Sequence, residues 1–231
     1  TDGFAATLAQ TAPRLAYLMP DFHNPTGRCM DAATRQTITD IAAQTRTTLV
    51  VDETMVDLWF DAPPPPPLAA FNPEAAVMTL GSAGKSFWGG LRLGWIRASS
   101  RTIATLAQTR DTLDLGSPVL EQLATLWLIE NSETFLPARR EMLAERRDRC
   151  GQMLREHFPE WRFQEAEGGL SYWIELPGML ATQLAARAET TGIIMGTGTR
   201  FGLSGAFDRY LRMPFSLSPP ELEEALLRIL Y

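Results

Sequence analysis

Thr48-Leu49-Val50-Val51-Asp52 is the stretch that decides the fold: a run of β-branched and aliphatic residues that ends on a carboxylate. A short apolar run bounded by polar residues reads as a strand buried on both faces, as in parallel sheets. Upstream, a helix is expected from about Asp31 to Thr45, with Asp31 as its cap and Ile38, Ile41 and Ala42 on its buried face. Before it, Arg14 to Met19 carries an apolar run ending at Pro20, and then the turn-rich Asp21-Phe22-His23-Asn24-Pro25-Thr26-Gly27. Downstream, Ala76 to Leu80 reads as a strand leading into Gly81-Ser82-Ala83-Gly84-Lys85, and Leu93 to Ile96 as a fourth strand. Strands alternating with helices imply an α/β architecture.

Further along, Pro63 to Pro67 form a five-proline run, an extended surface segment that reads as a stiff loop or as a docking site for a proline-recognising module. Helices dominate from Thr102 to about Phe158, and the arginines among the acids between Pro137 and His157 read as a solvated, charge-paired face. Short strands are expected at Leu170 to Leu176, Ile193 to Met195 and Tyr210 to Met213, and a closing helix from Ser218 or Pro219. The expected division is residues 1–130 as part of a larger domain and 131–231 as a smaller α/β domain. A chain of 231 residues, 45% hydrophobic, can bury a substantial core, and its net charge of -6 argues against a nucleic-acid grip of its own. No run is apolar and long enough to span a membrane, no signal peptide is visible, and Cys29 and Cys150 have neither metal-ligand nor disulfide spacing. A cytoplasmic location is therefore expected, with no metal.

Ligands of open α/β sheets bind outside the carboxyl ends of the strands. Asn24 with its turn, Asp52, and Ser82 with Lys85 all fall at such ends. Each residue alone admits a plainer reading: Lys85 as a surface lysine, Asp52 as a helix cap, Asn24 as an Asn-Pro turn and Arg212 as an ion-pair residue. Glycines around Lys85 let backbone approach a ligand, and Ser82, Ser86 and Arg92 offer donors suited to a phosphate.

Asn24-Pro25-Thr26-Gly27, Asp52-Glu53, and Ser82-x-x-Lys85 with Arg92 seven positions on together resemble the class I/II aminotransferases of fold-type I, which use pyridoxal phosphate. More narrowly, Phe87-Trp88-Gly89-Gly90-Leu91-Arg92-Leu93-Gly94-Trp95 and Tyr210-Leu211-Arg212-Met213-Pro214-Phe215 are similar to the aminotransferase-like domain of MocR-type regulators in the GntR superfamily. The resemblance implies a mostly parallel large-domain sheet followed by a smaller C-terminal domain. It also implies that Lys85 would hold pyridoxal phosphate as a Schiff base and shuttle protons, and that Asp52 would face the pyridine nitrogen. Asn24 would bond the cofactor's phenolic oxygen, Ser82 and Arg92 would hold its phosphate, and Arg212 would clamp a ligand carboxylate.

The function so implied is an effector domain that senses an amine or amino acid through aldimine chemistry. DNA would be bound only by a separate N-terminal winged-helix domain, and the protein would act as a homodimer. A free-standing aminotransferase and a degenerate dimerisation scaffold are the other readings. Two departures from the pattern stand out. Many of these enzymes place a tyrosine shortly after the strand-end aspartate, where it also contacts the phenolic oxygen, whereas Glu53, Thr54 and Met55 follow Asp52 here. The chain also opens at Thr1, close before Asn24, so a phosphate-binding loop and a ring-stacking residue are expected upstream, and this stretch alone is expected to bind the cofactor weakly or not at all.

Overall fold

The computed structural model describes residues 1–230 and divides into two compact units. The first comprises Thr1–Asp21 and Cys29–Pro137, the second Phe22–Arg28 and Ala138–Tyr231. This division assigns the Asn24 turn to the second unit and passes at Pro137/Ala138, where the sequence reading placed its boundary between 130 and 131.

In the first unit, α1 (Asp2–Thr11) precedes β1 (Leu15–Leu18), α2 (Ala32–Thr45) and β2 (Thr48–Asp52). Then follow β3 (Val77–Ser82), α3 (Ala83–Ser86), β4 (Gly94–Arg97), α4 (Ser100–Arg110) and α5 (Val119–Glu130). The strands form one sheet in the order β1-β2-β3-β4; the first three run parallel and β4 is antiparallel to β3. Helix α2 begins where expected because the Asp31 carboxylate accepts from the Thr34 amide at 2.7 Å, satisfying an amide that has no partner within the helix.

The pleat sorts the side chains of β2 between two faces. Leu49 and Val51 are fully buried and pack with Ile38 and Ala42 of α2 and with Leu68; Ala16, Leu18 and Val77 join them. Burial of each such aliphatic side chain contributes roughly 2 kcal/mol. Asp52 and Tyr17 lie on the other face, where Leu15 and Tyr17 remain exposed. Ile41 was expected in the core but is only half-buried; the buried residues of α2 are Arg35, Ile38, Thr39 and Ala42.

The arginine in that set is the least expected member. Arg35 is completely buried and ion-pairs with buried Asp21 at 2.5 Å. Its Nε donates to the Met30 carbonyl at 2.9 Å and its Nη1 to that of Pro66 at 3.2 Å. One guanidinium thus ties the end of the proline run and the start of α2 to the segment after β1.

Helix α6 (Ser132–His157) carries Pro137 internally and leads to β5 (Arg162–Phe163), β6 (Ser171–Glu175), α7 (Ala181–Thr190), β7 (Gly196–Thr197), β8 (Tyr210–Pro214) and α8 (Pro219–Leu230). The second sheet has the order β5-β6-β8-β7, all antiparallel. Tyr172, Ile174, Leu211 and Phe215 fill its core with Leu184 of α7 and Leu222 and Leu226 of α8. The strand expected at Ile193 to Met195 lies instead at Gly196–Thr197, where Gly196 and Thr197 pair with Arg212 and Leu211. Ile194 points to solvent.

Candidate cofactor and ligand site

The carboxyl ends of the parallel strands carry the polar residues of the first unit. Asp52 ends β2 and pairs in register with Leu80 of β3, so Asp52, Leu80 and Ser82 project from one face. Both oxygens of Asp52 are held: Oδ1 accepts from the Thr54 amide at 2.9 Å and Oδ2 accepts from the Tyr17 hydroxyl. Ser82 caps α3, its Oγ accepting from the Gly84 amide at 3.1 Å. That short helix brings exposed Lys85 out beside buried Ser86, whose hydroxyl donates to Asp57 at 2.6 Å. Arg92 follows the 3-10 turn Gly89–Leu91 in the left-handed region at φ 51, with an exposed side chain. Gly81 must lack a side chain, since a Cβ there would stand 2.1 Å from the indole of Trp95.

A second pair of acids, Glu53 and Asp21, is coupled by charge. Glu53 has a buried oxygen, Oε1, with no hydrogen-bond partner among the described residues, and so does Asp21 with Oδ2. Burial, reinforced by the negative charge of Asp21, pushes the Glu53 carboxyl up to about 7, against the opposing pull of Arg35 and Arg97. A raised folded-state value means that stability is fully present below pH 4.5, the ordinary value, and is lost as the pH rises through 7. Glu53→Gln is therefore expected to flatten the stability profile between these values and to gain about 1 kcal/mol at pH 8, after allowance for solvent screening of a half-buried group. Urea unfolding at a series of pH values checks this; an unchanged slope contradicts it.

In the second unit, Asn24 opens the turn that Gly27 closes at φ 69, a conformation that favours glycine. A Cβ on Gly27 would also meet that of Ala166 at 2.8 Å. His23 Nδ1 lies 3.0 Å from the Thr26 hydroxyl, and burial lowers the proton affinity of its ring. Arg212 of β8 pairs with Trp173 of β6 and donates from Nε to the Ser171 hydroxyl at 3.3 Å. Half-buried, it is pushed below the ordinary arginine value by desolvation, yet no ion pair to it is found among the described residues. Such a guanidinium suits a carboxylate brought by a ligand.

Asp52, Ser82, Lys85 and Arg92 thus lie in the first unit, and Asn24 and Arg212 in the second. Sequence reading missed the Tyr17 contact with Asp52, which only strand register shows. It also passed over a signal open to simple counting. Lys85 is the sole lysine of the chain, and the other twenty of its 21 basic residues are arginines. A primary amine, a carboxylate at a strand end, and serine and arginine donors form a set that fits pyridoxal phosphate.

The sequence matches the family described as aminotransferase class I and II over residues 15–229. An uncharacterized HTH-type transcriptional regulator of Bacillus subtilis, YisV, is 34% identical over 170 residues, covering 71% of this chain and 35% of its own length. Aromatic-amino-acid aminotransferase 1 of Thermococcus litoralis is 27% identical over 221 residues, 94% of this chain and 53% of that protein. The crystal structure of LysN, the alpha-aminoadipate aminotransferase of Thermus thermophilus complexed with N-(5'-phosphopyridoxyl)-L-leucine, superimposes with a TM-score of 0.91 at 27% identity. That match covers 99% of this chain and 60% of LysN. The chain spans between about a third and three fifths of the relatives it matches. The α/β fold is that of fold-type I pyridoxal-phosphate enzymes, and with a match that runs almost from end to end, this chain belongs to the aminotransferase class I and II family.

Proposed function

We propose that this chain is the aminotransferase-like effector part of a MocR-type transcriptional regulator of the GntR superfamily, and that it binds pyridoxal phosphate at Lys85. The observation that carries the cofactor reading is the solitary lysine. Arginine supplies every other basic side chain, but a guanidinium stays protonated and cannot act as an amine nucleophile. A single lysine just past the end of β3, among glycines, is what that one chemistry requires. The regulator reading is supported by the identity to YisV and to two further HTH-type regulators, YdfD of Bacillus subtilis and YdcR of Escherichia coli, each 28% identical.

When bound, the cofactor supplies an aldehyde for amines and a ring that accepts electron density. Lys85 would hold the group covalently through its Nζ and would carry protons at that atom. Asp52 holds a proton at the ring nitrogen. Ser82 and Arg92 bind the phosphate, and the planar fork of Arg92 suits its oxygens. In the second unit, Asn24 is assigned to the phenolic oxygen by the family pattern and Arg212 to a ligand carboxylate. Residues 1–130 are assigned to the cofactor-binding domain and the remainder to the small domain, in a homodimeric cytoplasmic protein.

Arg212→Lys is expected to weaken binding of amino acids about 10–100-fold while leaving the corresponding amines, which lack the carboxylate, unchanged. Spectral titration with matched pairs measures this; equal losses for both ligands contradict the assignment. The regulator reading is tested on the full-length polypeptide. An amino acid that alters operator affinity without sustained turnover in the presence of a 2-oxo acid supports it. Multiple turnover with no effect on DNA binding favours a free-standing aminotransferase, the alternative supported by the Thermococcus litoralis enzyme and by a 2-aminoadipate transaminase of Thermus thermophilus, 28% identical.

A further inference from the structure

The carboxylate of Asp52 is gripped from two sides, and one of the grips comes from a different strand. Tyr17 lies on β1 opposite Val50, with Asp52 the diagonal neighbour two residues on along β2, within reach of a long side chain on the same face. Its hydroxyl donates to Oδ2, while the Thr54 amide donates to Oδ1 at 2.9 Å. We propose that Tyr17 is a positioning residue: its hydroxyl fixes the plane of the Asp52 carboxylate, so that the remaining lone pairs meet the cofactor's ring nitrogen in one orientation. This rests on the pyridoxal-phosphate reading above.

Two features give the pairing weight beyond a chance cross-strand contact. A carboxylate has about four acceptor sites, so one donor on each oxygen sets its rotation and still leaves room for a ring N–H. The tyrosine is also responsive to its partner. Partial burial, then the hydrogen bond to Asp52 and the charge of Asp52, push the Tyr17 phenol up to about 12. Glu53, Thr54 and Met55 provide no tyrosine of their own next to Asp52, so the phenol that acts on this site comes from β1.

With Tyr17 on one oxygen and the Thr54 amide on the other, the carboxylate keeps one orientation. Without the Tyr17 hydroxyl, the Asp52 carboxylate would be free to turn away from the ring nitrogen, which would then carry less positive charge. Tyr17→Phe in the full-length protein is therefore expected to raise the pH midpoint of the cofactor's visible absorbance by about half a unit or more, and to weaken cofactor affinity about 3–10-fold. Added to Asp52→Asn, the same substitution is expected to change nothing further, because the group on which it acts is gone. In the cofactor-free protein, Asp52→Asn is expected to lower the titration midpoint of 13C-labelled Tyr17 by about half a unit or more.

The inference is overturned by a Tyr17 titration that ignores Asp52→Asn, by an absorbance midpoint unmoved in Tyr17→Phe, or by additive effects in the double variant. A wild-type protein that takes up no pyridoxal phosphate overturns the cofactor reading and, with it, this role for Tyr17. The cofactor-free titration still reports the contact, so the two failures are distinguishable.

Discussion

Lys85→Arg is expected to be as inactive as Lys85→Ala, with covalent retention of pyridoxal phosphate abolished in both and any amine-exchange activity down by about 1,000-fold or more. Arginine preserves the charge and much of the length of the side chain, and exposed Lys85 leaves it room. Both substitutions are expected to change unfolding free energy by no more than about 0.5 kcal/mol, as at other exposed positions. The phosphate contacts proposed for Ser82 and Arg92 do not involve Lys85, so residual reversible binding is expected, weakened about 10–100-fold. The contrast is the useful part. If Lys85 served only as a positive charge near the phosphate, Lys85→Arg would retain most of the function and Lys85→Ala would not. Dialysis followed by absorbance spectroscopy separates the outcomes, and partial rescue by arginine contradicts the covalent role.

Asp21→Ala is expected to cost about 3–5 kcal/mol of stability. Arg35 has no exposed surface, and Asp21 is its ion-pair partner at 2.5 Å. Removing that carboxylate leaves a buried guanidinium whose other bonds, to the carbonyls of Met30 and Pro66, do not neutralise it. Nearby Glu53 moderates the loss. Asp21 is part of what pushes the Glu53 carboxyl up, so without Asp21 the Glu53 charge forms more readily and partly replaces the missing one. Asp21→Ala is therefore also expected to bring the Glu53 titration back toward 4.5, its ordinary value. Replacing both partners with leucine avoids the stranded charge and is expected to be less damaging than Asp21→Ala alone. Denaturant unfolding checks both statements; a loss below about 1 kcal/mol for Asp21→Ala contradicts them.

The features legible in the sequence were those encoded locally. The Asp31 cap, the apolar run of β2 and the closing helix each depend on residues a few positions apart, and each lies where the pattern put it. The motifs that carry the family resemblance are local in the same sense. Arg35 failed this test because nothing within its helix marks it as buried; its partner lies fourteen positions away, on the segment after β1. Ile193 to Met195 read as a strand from composition, but a strand exists only where a neighbour offers a ladder, and Arg212 and Leu211 offer theirs to Gly196 and Thr197. Strand β5, two residues long, is too short for any periodicity, and the apolar face of α7 consists of alanines with a single large residue, Leu184. Tyr17 was overlooked for a related reason: its partner is two strand positions off the register line, visible only once β1 and β2 are paired.

The proposed chemistry turns on one nitrogen atom, Nζ of Lys85, so the most direct test asks where the cofactor becomes attached. The full-length protein is incubated with pyridoxal phosphate, reduced with borohydride and digested, and the phosphopyridoxyl group is located by mass spectrometry. Stoichiometric labelling of the peptide that contains Lys85, lost in Lys85→Arg, is the expected result. Absence of label there, or label shared with lysines elsewhere in the polypeptide at comparable yield, would contradict it.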